Sequence, residues 1–220
     1  MEQLKKALKM CTALLLALVI AITATGTTAE AASVKVTKKN SGKVSCVYYK
    51  GAKAKKAKVS ISSSYKYSLT YSGYDVYDVT VTINRPSLSK NDIIKTVKES
   101  RKKGSNIMDY ALVVIDGNGN QLSIPWSLYT SYSQSSSSKT LRATSGNTRY
   151  SIYGWMKKTV YTGTVYVPRG TTGVYVGVAG LRNGQIKKSV YNKWKNGSKT
   201  YYTAGFGKSK KGYVLAGQIA

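Results

Sequence analysis

Lys53, Lys55, Lys56 and Lys58 put four ammonium groups into six residues, with Lys50 just ahead of them. Cations at that density can meet several phosphates or carboxylates at once, without selectivity for sequence. A solvated loop or a lysine-guarded edge strand accounts for the same run equally well. A second cluster, Lys208, Lys210 and Lys211, lies in the loop GKSKKG. It shares only composition with a phosphate loop, because the G-x-x-x-x-G-K-[ST] order and the following helix are missing. Both clusters are candidate polyanion-binding sites. Trp155 and Trp194 are candidate platforms for stacking sugar rings, since an indole presents a flat apolar face with a polar edge. Trp126 shares parity with Ile124 and Leu128, which assigns it to the core.

Other chemistry is excluded by what is missing. The chain has no histidine, so Ser-His and Cys-His nucleophiles and ordinary zinc sites cannot be built. Beyond residue 31 the carboxylates are Asp75, Asp78, Asp92, Glu99, Asp109 and Asp116. Glycoside hydrolysis needs two of them facing each other. Asp75 and Asp78 fall on opposite faces of one strand, and Asp92 and Glu99 on a helix. The run from Asp116 to Asn120 begins like a calcium loop. Gln121 and Ser127 stand where that loop requires glycine and glutamate. The expectation is a non-enzyme with no cofactor and no metal.

Thirty-five lysines and arginines against eight acidic residues give a net charge of +27, and the imbalance is uneven. After Asp116 come fifteen Lys or Arg and no acidic side chain. That half cannot neutralise itself and gains stability from an external polyanion.

Lys5, Lys6 and Lys9 precede an apolar run at 13–22, and Ala29-Glu30-Ala31 follows. This is the order of a secretory signal peptide, residues 1–31, with the mature chain starting at Ala32. The run is too short to span a bilayer comfortably. Only Cys46 then remains, which excludes an internal disulfide and assigns Cys46 as a small buried hydrophobe. An exported chain without disulfides fits a bacterial secreted or cell-surface protein.

The elements that must hold these residues are mainly strands. Val165 and Val167, then Val174, Val176 and Val178, alternate with period two. Asn183-Gly184 predicts a tight hairpin with Leu181 facing Ile186. Tyr65, Tyr67, Leu69 and Tyr71 share a parity, as do Tyr77, Val79, Val81 and Ile83, which predicts two half-buried strands joined at Ser72-Gly73. Residues 107–115 read as a central strand covered on both faces. One helix is predicted at 89–103, with Ser89 as N-cap, Asp92 near the positive dipole end and Gly104 as the stop.

The fold class that follows is all-β, a mostly antiparallel β-sandwich of immunoglobulin-like or jelly-roll-like kind, with one short helix. The expected organisation is a β-sandwich half or domain at 32–132, a Ser-rich loop or linker at 133–139, and a second β-rich half or domain at 140–220. Residues 79–126 and 164–194 each run strand, proline-containing break, strand, Asn-Gly turn, strand, tryptophan, which suggests duplication.

The expected function is a secreted, cationic, non-catalytic protein held at the cell envelope. Its partners would be an anionic cell-wall polymer, an anionic lipid surface or an acidic glycan, with non-specific binding of extracellular nucleic acid. The alternatives are a glycan-binding module and, less favoured, a membrane-active β-rich toxin.

Overall fold

The computed structural model describes residues 33–181, 185–187 and 211–220. The leader, the Asn183-Gly184 turn, Trp194, Lys208 and Lys210 lie outside them.

Two sheets form the body. One has the order β1 (Ser33–Lys38), β13 (Lys211–Gln218), β11 (Tyr175–Gly180), β6 (Tyr110–Ile115). The other, here called sheet two, has the order β2 (Ser41–Cys46), β3 (Lys55–Leu69), β4 (Tyr74–Asn84), β10 (Lys158–Pro168), β7 (Trp126–Thr130). Neighbours are antiparallel except β1, which lies parallel to β13. Alternation aims Val59, Ile61, Val79, Val81, Ile83 and Val165 inward from sheet two, where they pack with Val114, Val176, Val178 and Leu215 of the other sheet. Side chains of this size contribute about 1.5–3 kcal/mol each when fully buried. The product is an all-β sandwich with one short helix among the described residues. Cys46 forms no disulfide among the described residues and is fully buried in the same core.

Strands from either side of 133–139 share both sheets, since β10 pairs with β4, β11 with β6 and β13 with β1. The two similar stretches each step from sheet two to the other sheet, β4 to β6 and β10 to β11. Their corresponding strands lie side by side.

The helix α1 (Lys90–Lys103) follows its local signals. Ser89 and Asp92 form a capping box, and Gly104 closes the end at φ 55° in the left-handed region. Ile93 and Val97 pack on Ala143, Tyr150 and Ile152 of a separate hairpin, β8 (Lys139–Ser145) and β9 (Thr148–Trp155).

Three local expectations differ from the structure. Leu181 does not face Ile186 across a hairpin. Both edges of β11 are occupied by β13 and β6, and β12 (Gln185–Lys187) pairs instead with β5 (Ser105–Ile107), setting Ile186 against Asn106. The strand at 107–115 is covered on both faces along β6, as expected, but it is an edge of its sheet. Tyr65, Tyr67 and Tyr71 are exposed rather than half-buried.

Gly163 lets β7 approach β10. A Cβ there would stand 1.8 Å from the Ser127 carbonyl oxygen. Backbone cannot yield as a flexible side chain can, so Gly163→Ala should lower stability by about 1–3 kcal/mol, read as a drop in urea midpoint. An unchanged midpoint would contradict this close packing.

Candidate functional site

The outer face of sheet two carries the charge. Ala57 and Val59 of β3 point into the core, so Lys56 and Lys58 between and beside them face solvent. On β2 the buried Val44 and Cys46 likewise leave Lys43 exposed. Register then does what sequence spacing cannot. Lys43 lies opposite Lys58, Lys58 opposite Asn84, and Asn84 opposite Lys158. Three lysines therefore occupy one row across four strands. With strands about 4.8 Å apart, Lys43 and Lys58 are immediate neighbours and Lys158 lies about 10 Å farther on.

Like charges directly opposite one another destabilise a sheet. Edge protection explains a lysine on β2, which is the border of sheet two. It does not explain Lys58 or Lys158, whose strands are interior. Nor do internal anions explain them. The ion-paired carboxylates Asp92, Asp78, Asp109, Glu99 and Asp75 are held by Lys55, Lys66, Arg85, Lys103 and Arg169. Among the described residues, no carboxylate reaches Lys43, Lys56, Lys58 or Lys158. A groove of about 280 Å³ adjoins this corner, lined by Lys39, Lys43, Lys56, Ser41 and Tyr213 among others.

The dense lysine run is thus divided. Its end is strand, because β3 begins at Lys55, and β3 is an interior strand rather than a loop or an edge. Lys53 is exposed in the short irregular stretch before β3. Lys55 turns away from the outer row and binds Asp92 of α1 at 2.8 Å. Glu99 of α1 accepts the backbone N–H of Lys50 at 2.6 Å, which ties the start of the run to the helix. Lys211 opens β13, paired with Ser33. The structure therefore joins Lys56 and Lys58 to Lys43 and Lys158, two residues that the sequence did not single out. Alternation along β2 and β10 was the available signal; their alignment required the pairing.

Asp92 illustrates how the helix is fixed. It is buried, accepts from the Ser89 backbone and hydroxyl at 2.9 and 2.7 Å, and pairs with Lys55. Burial pushes its pKa up, but Lys55 and Ser89 outweigh that and hold it below the ordinary value of 3.8. A depressed carboxylate stabilises the fold above its unfolded pKa and loses that contribution as pH falls through the folded value. Asp92→Asn should cost about 1–2 kcal/mol at pH 7. In urea titrations the gap between the two chains should close as pH drops below about 4. A gap independent of pH would contradict the assignment.

Trp155 sits elsewhere, in the wall of a cavity of about 210 Å³ lined also by Arg85, Asp109, Tyr110, Thr159 and Tyr161. Its ring is half-buried, 5.9 Å from that of Tyr48 and 5.9 Å from the Arg85 guanidinium. Arg85 makes a forked pair with Asp109, Nε at 2.7 Å and Nη2 at 3.2 Å, and also donates to Thr159 and to the Met156 carbonyl. The Tyr48 hydroxyl donates to Asp109 at 3.1 Å. Burial, and then Asp109, push the Tyr48 pKa up; burial also raises that of Tyr110 and of Tyr161. Burial opposes the Arg85 charge, but Asp109 more than restores it. Arg85, Asp109, Thr159 and Tyr48 satisfy one another, and the Trp155 ring packs against Tyr48 and Arg85 in this wall.

Fold and site together define a β-sandwich with one cationic corner on an otherwise hydroxyl-rich sheet face. The chain matches no protein-family model, no curated protein and no solved structure.

Proposed function

We propose that this chain is a non-catalytic binding protein that holds an anionic polymer of the cell envelope on the outer face of sheet two. The observation that carries the reading is the row of Lys43, Lys58 and Lys158, unneutralised by the described residues and partly placed on interior strands. A fold that keeps like charges in register carries a cost that an external polyanion relieves. The adjoining groove with Lys39, and the net charge of +27, favour the same class of partner. The export signal read at 1–31 directs the proposal to polymers outside the cell. The missing histidines and the separate engagement of the ion-paired carboxylates favour binding over catalysis. The test is binding of polyphosphate by the parent and by Lys43→Ser/Lys58→Ser/Lys158→Ser, with each chain followed through a salt series.

A further inference from the structure

Behind the lysine row, the outer face of sheet two changes character in an ordered way. Ser62, Thr80, Thr162 and Tyr129 align in a row across β3, β4, β10 and β7. At the far end Tyr67 and Tyr166 flank Val76 in register, and Val76 is fully buried. Tyr129 is 63% exposed and Tyr67 43% exposed, so both rings reach solvent on this face. From Lys158 to Tyr166 the face runs eight residues, about 27 Å, with Val160 on it buried, so its open part between the lysine row and the tyrosines lies along Ser60, Ser62 and Ser64 of β3.

Charge alone accounts for the lysines and leaves the rest of this face without a role. Exposed tyrosine rings offer flat apolar surfaces, with hydroxyls that donate and accept. Serine and threonine hydroxyls in register between them can do the same along a chain of sugar hydroxyls. A polyphosphate has no ring to lay on Tyr129 or Tyr67, and a bilayer would ask for apolar side chains rather than Ser62, Thr80 and Thr162. A carbohydrate chain bearing negative groups uses all three zones.

We infer that the polymer held here is an acidic polysaccharide, with its sugar rings along Tyr129 and Tyr67 and its anionic groups at Lys43, Lys58 and Lys158. This rests on the anionic-polymer reading above and adds the ring contact. The rings stack by their apolar faces, hydroxyls of the sheet bond those of the sugars, and the lysines confine binding to acidic chains.

The experiment compares polygalacturonate, which has rings and carboxylates, with polyphosphate, which has charge alone, and with neutral dextran. Tyr67→Ser/Tyr129→Ser removes two exposed rings, and circular dichroism with a urea midpoint confirms that the variant folds. Expected is about a tenfold loss of affinity for polygalacturonate with polyphosphate binding unchanged. The lysine variant should lose both. If the tyrosine variant binds polygalacturonate as the parent does, while the lysine variant loses it, the ring contact is wrong and the anionic-polymer reading stands. Tighter binding of the parent to polyphosphate, duplex DNA or phosphatidylserine vesicles than to polygalacturonate would overturn the polysaccharide assignment as well. Binding of none of these anions would overturn both readings.

Discussion

Asp109→Ala should lower the unfolding free energy by about 3–5 kcal/mol, the largest loss expected from a single substitution. Arg85 follows β4 in sheet two, and Asp109 immediately precedes β6 in the other sheet. Their side chains are only 12% and 10% exposed, and the fork between them joins the two layers. Thr159 on β10 and Tyr48 after β2 complete the polar cluster. Removing the carboxylate leaves a buried guanidinium whose charge cannot titrate away at any working pH, because arginine stays protonated in proteins even when burial opposes its charge. It also leaves the buried Tyr48 hydroxyl without this acceptor. Replacing both partners, Arg85→Met/Asp109→Leu, should cost less than Asp109→Ala alone, since no unpaired charge remains. Urea unfolding of the three chains decides it. A double variant as unstable as the single would show that packing, not charge pairing, holds this corner.

The second large effect concerns binding. Lys43→Ser/Lys58→Ser/Lys158→Ser should reduce affinity for polyphosphate about a hundredfold at low salt, at about 1 kcal/mol per cation beside an anionic surface. Stability should not fall, and the removal of the opposed Lys43–Lys58 pair should raise it slightly. That combination separates a binding surface from a structural one. Lysines that held the fold together would reduce stability and affinity in parallel.

What the sequence shows well is local. Ser89, Asp92 and Gly104 mark the helix because caps act within one turn of it, and the structure has each in place. Val79, Val81 and Ile83, or Val165 and Val167, mark inward faces because strand alternation is a property of the chain itself. Parity says which residues share a face and not whether that face is covered. Tyr65 and Tyr67 show the difference: beyond Ile61 β3 is exposed residue after residue to Ser68, and a register shift intervenes between the two tyrosines. Partner choice is the other gap. Lys43 and Lys158 are 115 positions apart in the numbering and meet in one row only because β2, β3, β4 and β10 align in a particular register. Long-range pairing sets that register, so only half of the cationic corner, Lys56 and Lys58, was legible beforehand. Arg85 and Asp109 escaped notice because each is a lone charge beside a strand, and their importance comes from burial against each other.

The most direct test sets the lysine row against the overall charge of the protein. The measurement is the slope of log K against log salt for polyphosphate, taken for the parent, for the Lys43/Lys58/Lys158 serine variant, and for a control of equal charge. The control is Lys90→Ser/Lys102→Ser/Lys139→Ser, three exposed lysines on α1 and β8. If the row is the contact surface, its loss reduces the slope by about 2 to 3, at about 0.7 to 0.9 for each lost phosphate contact, while the control stays near the parent. Equal slopes for the two variants would mean that charge acts as a diffuse cloud, and the assignment of a binding face would be wrong.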